Sequence, residues 1–247
     1  MKKHKYLLAA GCSFVRGSCM FPPDDPRHKK NPGSGDLRFS KIMANGIGAE
    51  EINFGTPGGS NQRAFRRIYE WTRENPSKVK DTFFVVGFTT TGRQEKFLDG
   101  VNRHVWFHQF WKKGWTKQIL MSMARDVRIY TEPFIDDLIL YNKLEYKFFF
   151  NEKNEHERLL RKADLLQSYI RGLGSEILFF NALYRPKFVT TNASDKLDDR
   201  LNWYKPGGYD TWPAFISSYR KYQLDHPLFD DHEILGKDLV KHYESIK

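Results

Sequence analysis

A serine and a histidine at opposite ends of the chain are the residues whose types and setting suit chemistry. Ser13 closes the run Lys5-Tyr6-Leu7-Leu8-Ala9-Ala10-Gly11-Cys12-Ser13-Phe14, in which an apolar strand enters a Gly-x-Ser turn. In open α/β sheets ligands bind outside the carboxyl ends of the strands, so a serine there stands where a nucleophile would. A serine hydroxyl attacks poorly until a neighbouring base takes its proton. Such a base stands near the other end, in Leu224-Asp225-His226-Pro227. The bland reading of the pair is a turn serine that caps the next segment and a surface histidine at the start of a helix.

Two further strand ends carry small or polar residues: Gly55-Thr56-Pro57-Gly58-Gly59-Ser60-Asn61 and Gly87-Phe88-Thr89-Thr90. Arg93 and Glu95 come next on the same side, where they either bind a polar substrate or pair with each other on the surface. Glycine-rich loops beside helix starts also suit phosphate. Neither loop matches Gly-x-Gly-x-x-Gly or a P-loop with its lysine, so a nucleotide is not expected.

The elements that must position these residues follow from apolar spacing and turn signals. Residues 5–10, 51–54, 82–88 and 176–181 read as strands, the third apolar on both faces as a central parallel strand is. Helices are predicted around 37–48, from 61 to 74, from 155 to 173, and as closing elements over 213–222 and 232–246. Residues 21–35, rich in proline and glycine, read as a loop, and so does the polar stretch 184–210. Residues 94–150 are aromatic and irregular, with Trp106, Phe107, Phe110, Trp111 and Trp115 followed by Phe148, Phe149 and Phe150. They are expected to form an insertion, partly helical, packed beside the sheet; the aromatics either fill it or line a sugar- or acyl-binding wall. Strands alternating with helices point to parallel βαβ units. The expected architecture is a three-layer α/β/α fold with a mainly parallel, flavodoxin-like sheet, one domain over 1–247 with an insertion at about 96–150.

Composition narrows the function classes. The 247 residues, 40% hydrophobic, suffice for a sizeable core, and no run approaches the roughly 18 apolar residues of a membrane span. The opening Met1-Lys2-Lys3-His4-Lys5 with Leu-Ala-Ala-Gly-Cys imitates a lipoprotein signal ending at Cys12. Its apolar core is too short for the 7–15 residues or so such signals need, so no signal peptide is expected. Two cysteines, Cys12 and Cys19, give no disulfide framework and no CxxC metal pattern. Neither metal nor cofactor is expected. A net charge of +10 favours anionic partners, but charge alone speaks to association and not to chemistry. Nucleic-acid binding ranks last among the functions considered.

Four motifs in order carry a resemblance to a known family. They are Gly11-Cys12-Ser13-Phe14, Asn53-x-Gly55-x-x-Gly58-Gly59-Ser60-Asn61, Thr89-Thr90-Thr91-Gly92-Arg93-Gln94-Glu95, and His226-Pro227. Over roughly 5–95 and 155–245 the chain resembles the SGNH (GDSL-type) hydrolase superfamily, and more nearly SGNH-like proteins of tailed phages. The resemblance implies Ser13 as nucleophile and His226 as general base. His232 competes for that role, but Pro227 marks His226. The resemblance also implies an oxyanion hole from the N–H groups of Ser13 and Gly58. Thr89 stands where the family carries an asparagine donor, and Asn61 is the neighbour able to substitute. The family's orienting aspartate falls at Gln223, leaving the adjacent Asp225 as the nearest acid. Arg93 is assigned to substrate binding. The implied activity is a serine esterase or deacylase acting on an O-acyl ester of a carbohydrate or on a small ester. A degenerate SGNH-like binding or phage structural module is the alternative. The implied setting is the cytoplasm of an infected bacterial host, or the virion; the sequence does not fix the oligomeric state.

Overall fold

A β-strand rises from Tyr6 to Gly11 (β1) and runs directly into one turn of helix, Ser13–Arg16 (α1). In this computed structural model, residues 4–18, 20–21, 36–98, 103–108, 132–183, 199–219 and 226–246 are described. Helix α2 (Phe39–Ile47) ends on Gly48 in the left-handed conformation, φ 69°, and is followed by β2 (Glu50–Gly55). Next come α3 (Asn61–Glu74), the single turn α4 (Pro76–Val79) and β3 (Thr82–Phe88). Then follow β4 (Arg93–Leu98), β5 (Arg103–His108), α5 (Glu132–Phe148) and α6 (Glu152–Gly172). Strand β6 (Glu176–Asn181), α7 (Trp212–Tyr219) and α8 (Phe229–Ser245) complete the order.

Four strands form one parallel sheet in the order β2-β1-β3-β6. This is the start of the flavodoxin-like order, and its reversal point lies between β1 and β3. Outside β6, where a fifth strand would lie, Phe179 makes a parallel bridge with Trp203. The register sets Gly11 beside Gly55 and Ala10 beside both Phe54 and Val86, so three strand ends finish at one level.

Alternation along the strands sorts the core into two layers. Leu7, Ala9, Phe83, Val85, Leu178 and Phe180 face one side and pack against α2, α7 and α8 through Phe39, Met43, Trp212, Ile216, Leu235 and Leu239. Leu8, Ala10, Phe84, Val86, Ile177 and Phe179 face the other, under Ala64, Ile68, Leu160, Ala163 and Ile170 of α3 and α6. Burying a side chain of this size is worth about 1.5–3 kcal/mol, so each layer contributes heavily. The result is the three-layer α/β/α architecture with a mainly parallel sheet.

The segment expected to be irregular departs from that reading. Residues 93–108 form an antiparallel hairpin, β4 with β5, pairing Arg93 with His108 and Glu95 with Trp106. Arg93-Gln94-Glu95-Lys96 looks like a polar exit loop because strand formation there comes from the partner's ladder, not from local preference. Helix α5 supplies the helical part. Phe110, Trp111 and Trp115 lie outside the described residues, as do Cys19, most of the 21–35 loop and 184–198. Among the described residues, no helix is long and apolar enough to cross a membrane.

Candidate active site

Gly11 determines where Ser13 goes. The last strand residue has φ 156°, and a Cβ there would lie 2.5 Å from Val15 Cγ2 and 2.6 Å from the Gly87 carbonyl oxygen. Only glycine lets β1 pass this close to β3 while the chain turns into α1. Cys12 caps α1 in extended conformation, Ser13 is its first residue, and Gly17 ends it at φ 75°. Ser13 is 5% exposed, facing the end of the sheet from inside a rigid turn.

His226 arrives from the far end of the chain. Its Nε2 lies 2.9 Å from Ser13 Oγ, and its ring stands 5.2 Å from that of Phe14. Two anchors hold the segment. The Phe229 N–H donates to the Met20 carbonyl at 3.0 Å, tying the start of α8 to the loop that follows Ser13. The Leu228 N–H donates to Asp231 Oδ2 at 2.6 Å, and Tyr219 Oη donates to Asp231 Oδ1 at 2.9 Å. Asp231 is fully buried, and its carboxylate caps α8 in the way an acid at the third helical position does. Asp225 and Gln223 lie outside the described residues.

His232, the competing histidine, has a different task. Its Nδ1 accepts from the Phe39 N–H at 3.2 Å, capping α2, and its ring packs edge-on to Trp212 at 4.8 Å. Complete burial, with lesser help from His226 and Arg38, pushes its pKa down to about 3. It is a neutral core group holding α2 to α8.

Behind the serine turn lies a polar network. Asn53 Nδ2 donates to the Val15 carbonyl at 3.0 Å and to Ser40 Oγ at 2.9 Å, while its Oδ1 accepts from the Gly55 N–H at 2.8 Å. Ser40 Oγ donates in turn to Glu51, which Arg38 grips with two nitrogens at 2.7 and 2.6 Å. A bidentate Arg–carboxylate pair is among the stronger and most directional contacts available. Arg38, Ser40, Glu51 and Asp231 went unseen in the sequence. Only Asp231 left a signal there, an acid at the third helical position following His226-Pro227-Leu228.

The β2 loop folds over the same strand ends. The Thr56 N–H donates to the Gly11 carbonyl at 3.1 Å, and the Gly59 N–H turns back to the Thr56 carbonyl at 2.9 Å. Gly58 takes φ 67°. Asn61, the first residue of α3, makes a reciprocal pair with the backbone after β3: its Nδ2 donates to the Thr89 carbonyl and its Oδ1 accepts from the Thr89 N–H, both at 2.9 Å. One hydrogen of that amide is thereby committed. Thr89 is 3% exposed, and its Oγ1 has no hydrogen-bond partner among the described residues.

Arg93 and Glu95 do not pair. Glu95, its side chain 3% exposed, is held by Arg63 at 3.3 Å and by Arg66 at 3.0 Å, and its hydrogen bond to Arg66 raises that residue's pKa. Alternation along β4 separates two residues by one position on the same face, but α3 reaches Glu95 first. Among the described residues, no group of three or more His, Cys, Asp or Glu is placed to hold a metal.

The open, parallel α/β sheet with helices on both faces is a fold that several solved esterases share. An acetyl xylan esterase from the rumen bacterium Butyrivibrio proteoclasticus aligns over 98% of this chain and 64% of its own, at 8% identity and a TM-score of 0.53. A carbohydrate esterase family 2 enzyme with a carbohydrate-binding domain, from Corynascus thermopiles (Myceliophthora fergusii), aligns over 98% and 66% at 12% identity, TM-score 0.51. A third carbohydrate esterase, described as having an active site with divergent catalytic and non-catalytic binding functions, aligns over 99% and 66% at 11% identity, TM-score 0.50. The chain thus spans about two thirds of these structures, and at such identities the likeness is one of fold. By sequence the chain belongs to a family of unknown function (DUF6071), whose model matches residues 26–198. That range includes the β4–β5 hairpin and excludes both Ser13 and His226. No curated protein matches the sequence.

Proposed function

We propose that the protein is a serine acyl hydrolase of SGNH type, cleaving an O-acyl ester with Ser13 as nucleophile and His226 as base. The observation that carries this reading is the 2.9 Å contact between Ser13 Oγ and His226 Nε2 at the carboxyl edge of the sheet. With Nε2 accepting, the neutral ring keeps its proton on Nδ1. As Oγ attacks the ester carbon, its proton passes to Nε2 and the carbonyl π pair moves onto oxygen. The tetrahedral intermediate then collapses, the C–O bond to the alcohol breaks, and Nε2 returns the proton to the departing oxygen. Water repeats the sequence on the acyl-serine, giving the carboxylic acid and restoring Ser13.

The N–H groups of Ser13 and Gly58, the remaining hydrogen of Asn61 Nδ2 and the Thr89 hydroxyl are the proposed oxyanion donors. Each such donor is worth about 10²–10³ in turnover where it acts. Asp225 remains the proposed orienting acid for His226. The fold shared with carbohydrate esterases supports an acylated glycan as substrate, with residues 96–150 as an insertion on a single domain. Reaction of Ser13 with a fluorophosphonate, abolished in Ser13→Ala, tests the assignment.

A second reading is favoured by two departures from the SGNH pattern: Thr89 stands at the position of its asparagine, and Gln223 at that of its orienting aspartate. On that reading the site binds without turnover, as a virion-associated glycan-recognition module. Absence of hydrolysis of acetylated saccharides, with glycan binding unchanged in Ser13→Ala, would select it.

A further inference from the structure

Helix α5 uses one face for the fold and leaves another apolar and exposed. Ile139 and Asn142 are buried, and Tyr146 on the same face donates to the Gly92 carbonyl at 2.6 Å, tying the helix to the turn after β3. On the opposite face Leu140, Leu144 and Phe148 recur every fourth residue, a spacing that stacks them in one line along a helix. They are 57%, 43% and 63% exposed, and Tyr141 lies at their side. The outer face of a helix that meets only water carries charged and polar residues instead. Among the described residues, Leu140, Tyr141, Leu144, Phe148 and Phe149 form the densest group of exposed large apolar side chains, and the rest are scattered between Tyr69 and Ile246.

The charges beside this stripe are segregated by sign. Asp136 and Asp137 stand near the start of α5, Lys143 and Lys147 near its end, and all four are exposed. Lys147 Nζ lies 4.9 Å from the centre of the Phe148 ring, at the edge of the stripe. Glu145, the acid in that half of the helix, accepts from the Tyr141 hydroxyl at 3.2 Å. Such a helix complements itself when turned end for end. About a two-fold axis level with Asn142, Leu140 meets the partner's Leu144, and Lys147 meets the partner's Asp136 and Asp137; the symmetry makes each contact twice. A parallel pairing would bring aspartate onto aspartate and lysine onto lysine, which the flanking charges of a helix pair disfavour.

We propose that α5 is a self-association surface, through which two copies of this chain pair antiparallel about a seam of Leu140, Leu144 and Phe148 flanked by aspartate–lysine pairs. The 17 residues of α5 span about 26 Å, with a face about 10 Å across. That strip is smaller than the roughly 800 Å² per partner of a standard stable interface, so the dimer assembles in the micromolar range. Pairing also braces the candidate site indirectly: the inner face of α5 holds Gly92, whose N–H donates to Thr90 Oγ1 at 3.2 Å, next to Thr89. The association is independent of whether Ser13 is a nucleophile.

The test is analytical ultracentrifugation of the full chain over a series from about 1 to 200 µM, which brackets a micromolar dissociation constant. The parent is expected to pass from monomer to dimer across the series. Leu144→Glu, which puts a charge at the centre of the seam, should weaken the dimer at least about tenfold. The paired reversal Asp136→Lys with Asp137→Lys sets like charges opposite Lys147 and should weaken it several-fold, and adding Lys147→Glu should restore it. A chain monomeric throughout the series, a dimer undiminished by Leu144→Glu, or a charge reversal that Lys147→Glu does not rescue would overturn the proposal. So would two other occupants of the stripe. A monomer that melts lower with Leu144→Glu has the stripe covered by its own residues, and a monomer that pellets with phosphatidylcholine vesicles uses it to meet lipid.

Discussion

The Phe229 N–H donates to the carbonyl of Met20, binding the segment that carries His226 to the loop that follows Ser13. Two parts of the chain more than 200 residues apart therefore meet through backbone as well as through the 2.9 Å side-chain contact. The geometry of the pair is set by the fold on both sides. Asn53 anchors the Val15 carbonyl behind the serine, and Asp231 caps the helix behind the histidine.

Replacement of His226 by Gln should leave the fold intact and lower kcat by about 10³-fold or more, since the serine loses its base. Steady-state hydrolysis of 4-nitrophenyl acetate reads this directly. Retained turnover would place the base elsewhere.

Asp231 is a positioning residue and should show it in a split between constants. Asp231→Ala removes the two part-buried hydrogen bonds that its carboxylate accepts from the Leu228 N–H and the Tyr219 hydroxyl, at about 0.5–1.5 kcal/mol each or somewhat more for a charged acceptor. The expected result is a fall in kcat with KM little changed, together with a lower melting temperature. Tyr219→Phe, which keeps the Leu228 contact, should be milder on both counts. Equal effects from the two substitutions would argue against the helix-capping role.

Thr89 separates stability from activity. Its hydroxyl is buried without a partner among the described residues, so the isosteric Thr89→Val should leave stability unchanged or raised. If the hydroxyl donates to the oxyanion, the same change should lower kcat by about 10²-fold. Unchanged kcat would remove Thr89 from the oxyanion hole and leave Ser13, Gly58 and Asn61.

Acid stability carries the mark of His232. Its pKa falls from 6.5 in the unfolded chain to about 3 in the core, so the unfolded state takes up the proton first as pH drops. The stability this neutral ring contributes is full above pH 6.5 and is lost progressively towards pH 3, at about 1.4 kcal/mol per unit. His232→Gln should flatten the slope of unfolding free energy between pH 6.5 and 5, measured by urea titration. An unchanged slope would mean that the ring is not held neutral.

Much of this was legible in the sequence, and what was not has physical causes. The four parallel strands and the helices from Asn61 and Phe39 announce themselves by apolar runs, by apolar residues at helical spacing and by Gly48 past a helix end. Ser13 and His226 are legible as candidates because a strand end and a His-Pro step are local signals, and the structure sets the two side chains 2.9 Å apart. The hairpin over 93–108 was missed because its first strand is polar and gains its stability only from its partner. The Arg38–Glu51–Ser40–Asn53 network was invisible for a related reason: its members come from two elements, and no spacing within either one reveals the contact. Of the two readings of Arg93 and Glu95, pairing with each other is set aside, because Arg63 and Arg66 of α3 hold Glu95.

Gly11 offers a check on the turn itself. A methyl group there meets Val15 and the Gly87 carbonyl well inside contact distance, so Gly11→Ala should cost about 1–3 kcal/mol and displace Ser13. Melting temperature and fluorophosphonate reactivity should fall together. A variant as stable and as reactive as the parent would show that the turn tolerates a side chain.

The most direct test of the central assignment is covalent labelling of the intact protein by a fluorophosphonate, with the modified residue located by mass spectrometry. The label is expected on Ser13, absent in Ser13→Ala and strongly slowed in His226→Gln. A label on another residue, undiminished labelling of Ser13→Ala, or an unreactive parent protein would contradict it.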